Sequence, residues 1–135
     1  MPNHFHLLLK QVRDGGITEF MGKVSNSYTK YFNTKYKRRG HLFEERFHSV
    51  LIKSDEQLLH VSRYIHLNPY VSKLTNNLEI FPYSSYLAFI KGVDEIGICN
   101  PQPVLDLIGG TVKYERFVEE HKEHAVELEE LKHFI

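Results

Sequence analysis

The chain has 135 residues, 41% hydrophobic and 25% charged, with one cysteine, no tryptophan and 17 Lys or Arg against 17 Asp or Glu. This is the composition of one ordinary folded domain, and it excludes disordered, collagen-like and disulfide-stapled chains. The longest apolar runs, such as Leu7 to Leu9, fall far short of the roughly 20 residues of a membrane span, and the segment from Met1 has no signal-peptide pattern; with the lone Cys99, this predicts a cytoplasmic protein with no membrane partner.

The zero net charge is unevenly spread. Residues 1–53 carry 10 basic against 4 acidic side chains, an excess that the acidic remainder of the chain cancels. Its densest part is Lys30, Lys35, Lys37, Arg38 and Arg39, interleaved with Tyr28, Tyr31, Phe32 and Tyr36. Such a mixture can pair with phosphates and stack on bases, and Arg46 lies shortly beyond it. The same run would equally suit a solvated helix end.

Residues 4–12 alternate as a strand, with His4, His6 and Leu8 on one face and Phe5, Leu7 and Leu9 on the other. Asp14-Gly15-Gly16 is a turn signal. From Ile17 to about Lys35, Phe20, Met21, Val24, Tyr28, Tyr31 and Phe32 recur at helical spacing. Residues 41–52 show short apolar and aromatic runs, which predict a strand pair or an irregular hairpin.

Ser54-Asp55-Glu56-Gln57 is a capping box, so a helix should begin there and stop at Asn68-Pro69. Its apolar arc is expected at Leu58, Val61 and Ile65, with Tyr64 off the arc's centre and Asn68 one turn beyond Tyr64. Short helices are expected at Pro82 to Lys91 and Val104 to Ile108, and a final acidic helix from Tyr114 to His133.

Two histidines separated by one residue on a strand project their imidazoles in parallel, near enough to share one divalent ion. Alone, the His-x-His pattern also fits surface packing. A tyrosine followed by an amide four residues later, after a basic and aromatic segment, adds a nucleophile, a third ligand candidate and a polyanion-binding surface. Together these parts suit phosphoryl transfer. Read separately, Tyr64 also fits a residue at the edge of the core, and Asn68 fits a helix end before Pro69.

Several ordered motifs carry a resemblance. They are Met1-Pro2-Asn3-His4-Phe5-His6-Leu7-Leu8-Leu9, Tyr31-Phe32-Asn33, Gly40-His41-Leu42-Phe43, Arg46-Phe47, Arg63-Tyr64-Ile65-His66-Leu67-Asn68-Pro69 and Pro82-Tyr83-Ser84-Ser85-Tyr86. The chain resembles the single-tyrosine HUH transposases, and among them the branch associated with repetitive extragenic palindromes.

The resemblance implies an α+β fold, a ferredoxin-like sandwich with an antiparallel sheet and helices on one face. It further implies a catalytic core at residues 1–91 and a C-terminal helical extension of the same domain at 92–135. Relatives carry a strand and a helix before the HUH motif, so the resemblance also implies an N-terminally incomplete core. By it, His4, His6 and Asn68 hold a divalent ion, Mg²⁺ or Mn²⁺, and Tyr64 is the nucleophile. Lys30, Lys35, Lys37, Arg38, Arg39 and Arg46 are the DNA-binding candidates.

The implied reaction cleaves single-stranded DNA at hairpin-forming ends through a 5′-phosphotyrosine and rejoins it to another strand. The implied partner is single-stranded or hairpin DNA, with a homodimer as one arrangement found in relatives. A tyrosine has a solution pKa near 10, so attack needs a proton acceptor, for which water, His60 and His66 are candidates. A non-catalytic DNA-binding remnant and a water-using phosphodiesterase are the competing readings.

Overall fold

The computed structural model describes residues 1–132, with side chains through Glu129. Six helices follow in chain order: α1 (Gly16–Lys35), α2 (Asp55–Val71), α3 (Tyr86–Lys91), α4 (Gln102–Ile108), α5 (Thr111–Glu119) and α6 (Lys122–Lys132). Among the described residues no β-strand forms, which overturns the expected antiparallel sheet and the ferredoxin-like sandwich. None of these helices is long and apolar enough to cross a membrane.

The reason lies in what alternation reports. It says which side chains share a face, whereas a strand exists only where a second backbone accepts and donates its ladder bonds. In this structure residues 4–12 and 41–52 are not assigned to a strand. Their apolar side chains stay partly in solvent: Phe5, Leu7 and Leu9 are exposed, and Val50 and Leu51 more so.

The chain divides into two compact units, residues 8–51 and residues 1–7 with 52–135. The first consists of α1 and its flanking segments. Its start is held by Glu19, which bonds both Arg13 and Lys23. At its other end Tyr28, Phe32, Tyr36 and Phe43 form a chain of ring contacts. Met21 is its one buried hydrophobic residue among those described. A single helix with one apolar stripe has little to bury that stripe against.

The second unit packs α2 against α4, α5 and α6, and α3 against α5. Leu67, Leu78, Tyr86, Phe89, Val104, Leu105, Tyr114 and Val118 form its buried core. Gly109 and Gly110, both at positive φ, end α4 and start α5 within two residues, and the amides of both reach the Leu105 carbonyl. A side chain there would strain the left-handed backbone that lets α4 and α5 pack together. The predicted final helix is two helices, α5 and α6, separated at Glu120 and His121; its expected end at His133 lies outside the described residues.

The capping box before α2 forms. Ser54 Oγ accepts from the Gln57 amide at 3.1 Å, and Gln57 Oε1 accepts from the Lys53 amide at 2.8 Å, one residue earlier than the cap itself. Ser54→Ala is therefore expected to destabilise the unit by about 1 kcal/mol. Thermal denaturation followed by circular dichroism should show a Tm lower by about 3 °C.

The helix also runs through Pro69 to Val71 instead of stopping at Asn68-Pro69. Proline removes one amide donor, but Pro69 is buried, and the Ser72 and Leu74 amides still bond the Asn68 and Pro69 carbonyls at 2.9 Å. Packing and these bonds hold the last turn despite the missing donor.

Candidate active site

The buried face of α2 differs from the apolar arc expected at Leu58, Val61 and Ile65, which are only half-buried. Ser62, Arg63, His66, Leu67 and Pro69 face inward instead. A polar set can occupy the core side because it is hydrogen-bonded there. His66 Nδ1 lies 2.7 Å from Tyr114 Oη and its Nε2 lies 2.9 Å from Ser85 Oγ.

Donor accounting gives this network a direction. The Ser62 hydroxyl donates to the Leu59 carbonyl at 2.8 Å, so Ser62 Oγ can accept the Tyr114 proton at 3.2 Å. Tyr114 Oη then accepts from His66 Nδ1–H, and His66 Nε2 accepts from Ser85. Burial drives the His66 pKa down to about 3, so this ring is neutral. With both nitrogens engaged and the ring enclosed by Tyr86, Phe89 and Tyr114, His66 is a core residue and is excluded as the base for Tyr64.

Arg63, also buried, lays its guanidinium over Phe117 at 4.1 Å and bonds His60 Nδ1 at 3.0 Å. His60 thus has one nitrogen committed to Arg63.

The opposite side of α2 presents Tyr64 and Asn68, spaced one turn apart. Tyr64 is 52% exposed, and its ring meets the His6 ring edge-on at 5.6 Å. Asn68 Nδ2 lies 3.1 Å from His6 Nε2. His4 and His6 rings stand 5.1 Å apart at 89°. The imidazoles are therefore close but perpendicular, and the parallel projection expected of a strand does not occur. His4, His6, Tyr64 and Asn68 nevertheless meet within one unit of one chain.

This arrangement can be tested against the demands of a divalent ion. Two imidazole nitrogens at about 2.1 Å from one ion, at near-right to tetrahedral angles, place ring centroids roughly 4.6–5.3 Å apart. The His4–His6 spacing falls within that range. His4 Nδ1 bonds Asn3 Oδ1 at 2.8 Å, which requires the Nδ1–H tautomer and leaves the Nε2 lone pair for a ligand. Partial burial, and after it the neighbouring His4, holds the His6 pKa below its ordinary value and favours the neutral ring that metals bind.

A half-turn of the Asn68 amide would bring Oδ1 toward His6, with Ser72 Oγ, which now donates to Oδ1 at 3.3 Å, then placed to accept from Nδ2. Among the described residues no group of three or more His, Cys, Asp or Glu side chains could hold a metal ion, so a third protein ligand beside His4 and His6 would come from another residue type, such as the Asn68 amide.

The six basic candidates all belong to the other unit and are exposed. Lys35 bonds Tyr31 Oη at 3.2 Å and lies 5.5 Å from the centroids of both the Tyr31 and Tyr36 rings. Arg38 is partly structural, since it bonds Asn33 Oδ1 and the His41 carbonyl and sits 5.7 Å from the Phe32 ring.

A cleft that the sequence reading did not single out adjoins His6 and Asn68. Its walls come from Ile65, Phe81, Leu87 and Ala88 and from the loop after α3. The available signal was the Pro82-Tyr83-Ser84-Ser85-Tyr86 element, which supplies both Ser85 to His66 and Tyr83 to the cleft rim.

Residues 1–68, just over half the chain, match the family described as IS200-like transposases. No curated protein and no solved structure matches the chain.

Proposed function

Because the chain belongs to the IS200-like transposase family, we propose that it cleaves and rejoins single-stranded DNA at hairpin-forming ends, in the manner of the branch associated with repetitive extragenic palindromes. The observation that carries this reading is the placement of His6 between Tyr64 and Asn68, at 5.6 Å from one ring and 3.1 Å from the other's amide.

In the reaction, Tyr64 Oη attacks a backbone phosphorus and its proton passes to water, which the half-exposed phenol reaches. The bond from phosphorus to the 3′ oxygen breaks, and that oxygen takes up a proton as a 3′ hydroxyl. The 5′ phosphate stays on Tyr64, with one phosphodiester exchanged for another, so no nucleotide cofactor is needed. A 3′ hydroxyl of a second strand then attacks the same phosphorus and releases Tyr64.

His4, His6 and Asn68 would hold the divalent ion, Mg²⁺ or Mn²⁺, which supplies Lewis-acid polarisation of a phosphate oxygen when bound. Asn3 fixes the His4 tautomer, and α2 fixes the spacing of Tyr64 from Asn68. The exposed cations Lys30, Lys35, Lys37, Arg39 and Arg46, with Arg38, would add salt-dependent contacts to phosphates. The meeting of His6 and Tyr64 within one chain supports a site complete in a monomer over one shared by a homodimer.

The test uses 3′-labelled single-stranded DNA carrying the palindromes that flank the gene, with Mn²⁺, followed by denaturing electrophoresis. Label should move onto the protein, and chelator should prevent it. His6→Ala is expected to reduce the transfer by roughly 100-fold or more. Label that never reaches the protein while the DNA is bound would favour the non-catalytic remnant, and cleavage with no adduct would favour the water-using phosphodiesterase.

A further inference from the structure

Beside the candidate site lies a cleft of about 620 Å³, within the size class of small-molecule sites. His6 and Asn68 stand in its wall together with Ile65, so it opens directly from the place where a phosphate would react. Phe81 and Tyr83 also line it, and their rings meet edge-to-face at 5.8 Å and 79°. An edge-to-face contact covers at most one face of Tyr83, which is 85% exposed, so a face remains for stacking. Ile80, Ile96 and Ile98 border the same cleft and are also largely in solvent. An exposed apolar group of this kind, gathered at one concavity, marks a ligand surface more readily than scattered exposed residues do.

Electrostatics narrows the occupant. The cleft contains Glu79, Asp94 and Glu95 against Lys91. Asp94 is turned onto the amides of Ile96, Ile98 and Cys99, and Glu95 pairs with Lys91 at 3.5 Å. The remaining field is negative, which opposes a phosphate inside the cleft but does not oppose a neutral planar ring. A nucleotide with its phosphate at His6 has its base one sugar away.

We propose that this cleft takes one unstacked nucleobase of the single strand, stacked on Tyr83, while the adjoining phosphate stays at His6. The proposal rests on the strand-transfer reading of the same site and extends it to a base-recognition pocket. Such stacking separates a single strand from a duplex, whose bases are not available to it.

The test moves a single abasic position along a bound DNA strand and measures affinity by fluorescence anisotropy, for the wild type and for Tyr83→Ala. One position is expected to cost about 10-fold or more in the wild type and little in Tyr83→Ala, because the same stack is lost either way. A 5-iodouracil at that position should photo-crosslink to Phe81 or Tyr83. The surface location of Tyr83 makes loss of fold an unsuitable explanation, and a thermal melt of the variant checks this.

A flat abasic scan with an unchanged Tyr83→Ala affinity, while label still transfers to the wild-type protein, overturns the base pocket and leaves the strand-transfer reading intact. A position-specific penalty and crosslink without label transfer support the pocket and count against the reaction. Absence of any single-strand binding overturns both.

Discussion

Tyr64→Phe is expected to abolish the protein–DNA adduct, by more than about a thousandfold, while leaving single-strand affinity and Tm essentially unchanged. The substitution removes one oxygen from a half-exposed ring and keeps the ring that meets His6 edge-on at 5.6 Å. Its packing cost is therefore small, and its chemical cost is the nucleophile itself. Denaturing electrophoresis measures the adduct, and anisotropy with the same oligonucleotide measures binding. An adduct that persists in the variant would assign the chemistry to another side chain, whereas a large fall in Tm would show that the hydroxyl has a packing role.

Acidification is expected to destabilise the helical unit through His66. In the folded chain this imidazole takes up a proton only near pH 3, whereas an unburied histidine does so near 6.5. Between those values the unfolded state holds more protons, so stability falls as pH drops from about 6.5 toward 3 and is fully present above that window. At pH 4 the loss from this one group is on the order of 3 kcal/mol. For a chain of this size that lowers Tm by about 10 °C relative to neutral pH.

His66→Gln can keep hydrogen bonds in the network without titrating. It should be less stable than the wild type at neutral pH and lose less on acidification. Thermal melts of both proteins at pH 7, 5.5 and 4 make the comparison. Equal pH dependence in the two would rule out His66 as the group responsible, and carboxylate effects common to both cancel in the difference.

The helices were legible where local rules decide them. Ser54 and Gln57 announce the start of α2, and the apolar spacing from Ile17 onward announces α1, because capping and amphipathicity act within a few residues. The sheet was misread because the alternation at His4 to Leu8 is local while a ladder needs a distant partner. The buried face of α2 was misread because hydrophobic periodicity has no means of seeing that Ser62 and His66 find hydroxyl partners on α5 and the turn before α3.

In Arg63-Tyr64-Ile65-His66-Leu67-Asn68-Pro69, buried Arg63, His66, Leu67 and Pro69 are interleaved with the less buried Tyr64, Ile65 and Asn68, so site candidates and packing occupy one motif. Tyr64 and Asn68 point to the site, while His66, which looked equally reactive as a letter, holds the core. The cleft was hidden for a similar reason, since Tyr83 and His6 are far apart in sequence and only the folded chain places them around one cavity.

The two halves of the site are joined by a bond spanning 62 positions, from His6 to Asn68. Helix α2 holds itself by bonds four residues long, but residues 1–7 have no ladder and keep exposed apolar side chains. Loss of their seating would therefore be a local opening, with a cost set by loop entropy and the contacts of the segment. Unseating them would part the imidazoles from the phenol with every helix still formed. Under the proposed reaction the rate would scale with the seated fraction, and conditions that pin the N-terminal segment would raise turnover without altering any reacting group.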